Sequence, residues 1–95
     1  MDKRQAYQEK MEAQLKEWDA KIDELKARAD QAEADKKLEY YEQVESLRTK
    51  QESARERLSE LKQAGEGAWE ELKAGLDTAW DDLSSAFDNA ARRFK

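Results

Sequence analysis

The groups in this chain most able to do chemistry are its carboxylates: 23 Asp and Glu stand against 18 Lys and Arg, with no His and no Cys. Paired acids can hydrolyse a bond or hold metal ions. A di-iron helical bundle, however, also needs Glu-x-x-His pairs facing inward, and this sequence has no histidine. Acids such as Glu9, Glu12, Asp19 and Asp23 fall on the polar side of the helical pattern and read as a solvated face. Without Cys there is no thiol nucleophile, disulfide or thiolate ligand. Without His the commonest general base and transition-metal ligand is missing. Neither an EF-hand loop nor a phosphate-binding glycine loop is present. Ser53-Ala54-Arg55-Glu56 and Ser85-Ala86-Phe87-Asp88 spell a capping box, but the helical pattern runs on through both. No catalytic, cofactor-binding or metal-binding residue is therefore expected, and no enzymatic activity.

The residues left to act are apolar, and their spacing is regular. Tyr7, Met11, Leu15, Trp18, Ile22, Leu25, Ala29 and Ala32 recur at steps of three and four. The pattern resumes at Tyr40, Val44, Leu47, Ala54, Leu58 and Leu61. It continues through Ala68, Leu72, Leu76, Ala79, Leu83, Phe87, Ala90 and Phe94. At roughly 100° per residue these positions share one sector of a helix. Trp69 and Trp80 complete the candidate stripe for packing or interaction. Trp18 reads as the core anchor of the N-terminal region, with a binding anchor for another protein as the alternative. Tyr40 and Tyr41 straddle the stripe, so at most one of them is expected to be buried. Leu38 lies off it, and Gln51 is a polar member suited to setting register.

Such a stripe needs long helices to carry it. Proline is absent, only three glycines occur and 43% of the residues are charged, with the two signs well mixed. That is the composition of helical bundles and coiled coils. Nothing alternates with period two, so the fold class expected is all-α, a single domain spanning 1–95. The clearest break is Gln63-Ala64-Gly65-Glu66-Gly67. Gly65 suits the left-handed position just past a helix end, and Gly67 could cap the next helix, with Glu70 and Glu71 in its first turn. A turn at 65–67 then precedes a C-terminal helix from about 67 to 94. Residues 2–64 read either as one long helix, about 95 Å at roughly 1.5 Å per residue, or as a helical hairpin with Asp35 as the second N-cap. Glu12 with Lys16, Glu17 with Lys21, Glu24 with Arg28 and Glu33 with Lys37 have the spacing of helix-supporting ion pairs.

Residues 68–95 carry an eleven-residue repeat. Ala68-Trp69-Glu70-Glu71-Leu72 is echoed by Ala79-Trp80-Asp81-Asp82-Leu83, and Leu76-Asp77 by Phe87-Asp88. Eleven residues make three turns at about 3.67 per turn, which keeps an apolar face nearly straight. Such a face packs in a bundle or coiled coil, or lies on lipid with its apolar side down. The repeat is similar to those of exchangeable apolipoproteins and some desiccation-protection proteins. The chain as a whole resembles small bacterial coiled-coil domain-containing proteins of unknown function. The residues carrying this likeness are Met11 to Leu25 around Trp18, Leu38-Glu39-Tyr40-Tyr41-Glu42-Gln43, and Ala68-Trp69-Glu70-Glu71-Leu72-Lys73-Ala74-Gly75. The resemblance implies a bacterial helical protein and brings no activity or site residues.

The function expected is thus that of a structural or interaction protein. A lone 95-residue bundle with few large apolar side chains is marginal, so a homo-oligomer is expected, or packing against a helical protein partner. The alternative is a peripheral lipid- or surface-binding protein of a stress-related kind that uses 68–94. Asp77, Asp81, Asp82 and Asp88 would repel anionic lipid there. The net charge of −5 argues against nucleic acid, which calls for a basic stripe. With no membrane-length apolar run and no signal-peptide core at the start, the expected location is cytoplasmic.

Overall fold

The computed structural model describes residues 2–94. Three helices account for nearly all of them: α1 (Lys3–Gln31), α2 (Ala34–Gln63) and α3 (Glu66–Arg93). The described part measures 51 × 21 × 18 Å. A single helix over 2–64 would be nearly twice as long as that, so the hairpin alternative is the one that forms. Helix α2 folds back antiparallel on α1, and α3 returns alongside α2, leaving α1 and α3 parallel in an all-α bundle. None of the described helices is long and apolar enough to cross a membrane.

The three helices differ in how their starts are fixed. Asp2 caps α1, its Oδ1 accepting from the Gln5 N–H at 2.7 Å. Helix α2 starts without such help. Its N-cap is Glu33, whose side chain makes no cap bond, and Asp35 sits in the first turn instead of capping it. There Asp35 faces the positive end of the helix dipole. Gly65 caps α3, two residues earlier than Gly67, and Glu66 is the first-turn acid. The expected left-handed glycine is not found: Gly65 has φ −75° and no described residue has positive φ. The chain leaves α2 through Ala64 in extended backbone, so Gly65 opens α3 and does not close α2.

The apolar stripe becomes the bundle core. Leu25, Leu47, Leu61, Leu76 and Leu83 are its most deeply buried large side chains. Ala29, Ala54 and Ala90 are buried as fully. Most intrahelical ion pairs expected from spacing give way to other partners. Glu24–Arg28 forms at 3.0 Å, but Glu12 reaches across the hairpin to Lys62, and Lys21 meets Glu24 at 4.0 Å. Glu33 lies in the link between helices, outside the regular spacing that would pair it with Lys37.

Candidate interaction surface

The apolar stripe packs through two kinds of seam. Between α1 and α2, and between α2 and α3, backbones come close. Between α1 and α3 the space is filled by aromatic side chains. Tyr7 meets Trp69 edge-on with ring centres 5.7 Å apart. Eleven residues further along both helices, Trp18 meets Trp80 at 5.0 Å. Trp18 also stacks on Phe87 at 5.3 Å, with the ring planes 11° apart. The eleven-residue step of α3 is therefore matched by the same step on α1. Two parallel helices with equal steps can meet rung to rung. At the far end, Tyr40 of α2 stacks on Phe94 at 4.4 Å. Such ring pairs contribute about 0.5–1.5 kcal/mol each beyond the area they bury.

Met11, Leu15, Trp18, Ile22 and Leu25 of α1 are buried, as are Val44, Leu47, Leu58 and Leu61 of α2. On α3 and at its end, Trp69, Leu76, Trp80, Leu83, Phe87 and Phe94 are buried too. Tyr7, Tyr40 and Leu72 pack partly buried against that core. Tyr41 is more exposed than Tyr40 and Leu38 is 68% exposed, consistent with positions off the stripe.

Polar groups line the edges of the seams. Gln51, the polar member of the stripe, is buried, and its amide donates to the Leu15 carbonyl at 3.1 Å and to Asp19 at 2.5 Å. Arg55 adds a bond to each oxygen of Asp19 at 3.2 Å. Together these fix the sliding register of α2 on α1. Gln51 stood out in the sequence because it interrupts an apolar series. Its partner Asp19 read only as a solvated acid, since nothing local marks an acid beside the stripe as an inter-helix partner. Sequence reasoning also missed Arg4, which donates to the Ala64 carbonyl at 3.1 Å with its guanidinium 5.1 Å above the Trp69 ring. The Trp69 indole N–H beneath is buried without a hydrogen-bond partner among the described residues.

A third cluster joins α1 to α3. The Tyr7 hydroxyl donates to Asp77 at 2.5 Å, and Lys73 donates to the other Asp77 oxygen at 3.1 Å. Burial, followed by the hydrogen bond and the charge of Asp77, pushes the Tyr7 phenol well above its ordinary value. Burial alone would raise Asp77. Its bonds from Tyr7 and Lys73, with the charges of Lys73 and Lys10, outweigh that and hold it below its usual range. The cluster is thus a neutral phenol donating to an ionised carboxylate, an arrangement that positions helices and holds its proton tightly.

The concave features are open grooves. The one at the α1–α2 end has a volume of about 520 Å³ and is lined by Arg28, Gln31, Lys36, Tyr40 and Phe94 among others. Among the described residues, no three acidic side chains converge to hold a metal ion. Helices α1 and α2 each carry seven acids and seven bases. From Glu66 to Asp88, however, seven acids face the single base Lys73. The net negative charge of the protein is therefore concentrated on α3. Comparison with protein-family models, with curated proteins and with solved structures returns no match.

Proposed function

We propose that this chain is a non-enzymatic helical interaction protein that acts by self-association through its apolar stripe. One observation carries the reading: apart from Leu38 and Tyr41, the large apolar side chains of all three helices are committed to a single helix–helix seam system along the whole length of the bundle. The polar groups along the seams serve the same end, since Gln51, Asp19, Arg55, Tyr7 and Asp77 each join one helix to another. A core made only of helix–helix seams is one that an identical helix from a second copy can also complete. A chain of 95 residues buries a modest fraction of its surface, so a second copy adds stability that the isolated bundle lacks. The bacterial cytoplasm is the proposed setting, on the strength of the coiled-coil resemblance. Light scattering with circular dichroism on the same sample tests this reading. A dimer or tetramer of high helicity is expected. A helical monomer at every concentration would end the self-association reading and direct the search to a different helical partner.

A second reading is favoured by α3. Trp69, Trp80 and Phe87 lie on one face and its acids on the other, a sharper division than in α1 or α2. If α3 detached, it could lie on lipid with the indoles inserted. Its acidity directs that binding to zwitterionic lipid and away from anionic lipid. Flotation with phosphatidylcholine vesicles tests it, with quenching of Trp fluorescence by brominated chains. Unquenched protein that stays at the bottom of the gradient would sink this reading.

A further inference from the structure

We propose that α1 is exchangeable between two copies of this chain. The Ala32–Glu33 link opens, residues 3–63 become one continuous helix, and α1 of each copy docks on the α2–α3 pair of the other. This rests on the self-association reading and names both its partner, a second copy, and its hinge.

Four features of the link support exchange. Ala32 and Glu33 leave the helix with φ of −71° and −63°, yet neither residue type resists helix and Gln31 and Ala34 flank them. The Glu33 N-cap makes no side-chain bond to hold α2 as a separate helix. The apolar register also runs through the link without a jump. Tyr7, Trp18, Ala29, Tyr40 and Gln51 follow at steps of eleven, each step turning the face by only about 20°. A straight helix would therefore keep the stripe on one side. Finally, α1 and α2 differ by one residue in length, 29 against 30. Two opened chains would then lie antiparallel about a two-fold axis at the link, giving a closed dimer and not a chain of copies.

Exchange preserves the contacts that hold α1. Gln51 finds a Leu15 carbonyl, Arg55 an Asp19, and Trp80 with Phe87 a Trp18, each from the other copy. The α1–α2 hydrogen bond from Tyr41 to Asp30 is recovered from the other copy in the same way, so only the backbone of the link itself changes. The second link does not share this freedom, because Gly65 and Gly67 oppose helix there and Arg4 ties down the Ala64 carbonyl.

The test is to refold the protein at high concentration and separate monomer from dimer with light scattering. A fluorescent donor and acceptor at Lys3→Cys and Gln63→Cys, diluted with unlabelled protein, report the distance within one chain. Exchange predicts strong transfer in the monomer and its loss in the dimer, where the labels would stand about 90 Å apart. Glu33→Pro is compatible with the closed link, since Glu33 has φ −63° and Ala32 has ψ 156°. In a continuous helix the ring would clash with the Ala29 carbonyl. It should lower the dimer fraction at least tenfold, and the double variant Ala32→Gly, Glu33→Gly should lower it without proline. A dimer that keeps energy transfer and ignores Glu33→Pro would overturn exchange and leave self-association standing. Monomer alone, even after concentrated refolding, would overturn both.

Discussion

Ala32 and Glu33 carry the chain from α1 to α2, and Ala64 and Gly65 carry it from α2 to α3. All four residues are in extended backbone with similar φ, between −63° and −75°. Their chemistry differs. The second link holds Gly65 and is followed by Gly67, each less favourable than Ala in a helix interior by about 1 kcal/mol. The first has no residue that opposes helix. A break with no local cause must come from what packs across it. Leu25 and Leu47 are among the most deeply buried residues of the hairpin, and a straight helix would expose both. The second break is thus written in its own residues, whereas the first is written in side chains far along the chain.

That contrast is broken most directly by weakening the long-range packing. Trp18 touches both Trp80 and Phe87 and is 6% exposed. Trp18→Ala should cost about 3–5 kcal/mol, a large share of the total for a domain this small. Urea unfolding measures the loss, and amide exchange should show residues 30–35 losing protection together with the core. A loss below about 1 kcal/mol would mean that the first link does not depend on the aromatic seam.

Gln51→Ala removes the buried amide that sets the hairpin register. It leaves the Leu15 carbonyl and Asp19 short of a donor, for an expected cost of about 1–3 kcal/mol. Denaturant midpoints for this variant and for Thr49→Ala, which alters only an exposed bond within α2, should differ clearly. Equal midpoints would show that Gln51 adds nothing to pairing.

Which parts were legible in the sequence follows from the same distinction. The stripe was, because apolar periodicity is a local property and burial acts on every turn of a helix. The break near Gly65 was, because glycine acts where it stands. The break at Ala32 was legible only as one of two alternatives, placed at Asp35, since Ala29 to Lys37 has good helix propensity and the folding back of α2 on α1 is what interrupts it. Gly65 shows the limit of reading residue type without geometry: it marks the turn correctly, yet caps α3 with φ −75° and needs no left-handed backbone. The ion pairs were misjudged for the reason Asp19 was. Spacing identifies partners within a helix, but a neighbouring helix can offer Lys62 to Glu12 just as well.

Two Tyr–Asp hydrogen bonds join helices, an exposed one at Tyr41–Asp30 that spans the first link and a partly buried one at Tyr7–Asp77 between α1 and α3. Tyr7 is raised above its ordinary 10.0, so its contribution is complete below pH 10 and fades as pH rises through its folded value. Asp77 is lowered below 3.8, so its contribution is complete above that and fades as pH falls through its folded value. Tyr7→Phe should cost about 0.5–1.5 kcal/mol at neutral pH and flatten the decline at both extremes. Tyr41→Phe should leave the acid limb unchanged. Urea midpoints across the pH range decide it, and parallel curves for wild type and Tyr7→Phe would remove Tyr7–Asp77 as the sensitive pair.

The smallest effects come from giving both links the same cap. Serine at an N-cap accepts from a backbone N–H two or three residues on. Glu33 makes no such bond and Gly65 has no side chain to make one. Glu33→Ser should therefore stabilise by about 0.5–1 kcal/mol, supplying local definition where there is none. Gly65→Ser should gain only a few tenths of a kcal/mol, because glycine already suits that position. The Gly65 site has open space for the new side chain, so a clash would not disguise the difference. Thermal midpoints of the two variants give the comparison directly. A larger gain at Gly65 than at Glu33 would mean that the first link already has a local signal, and that the long-range account of its break is mistaken.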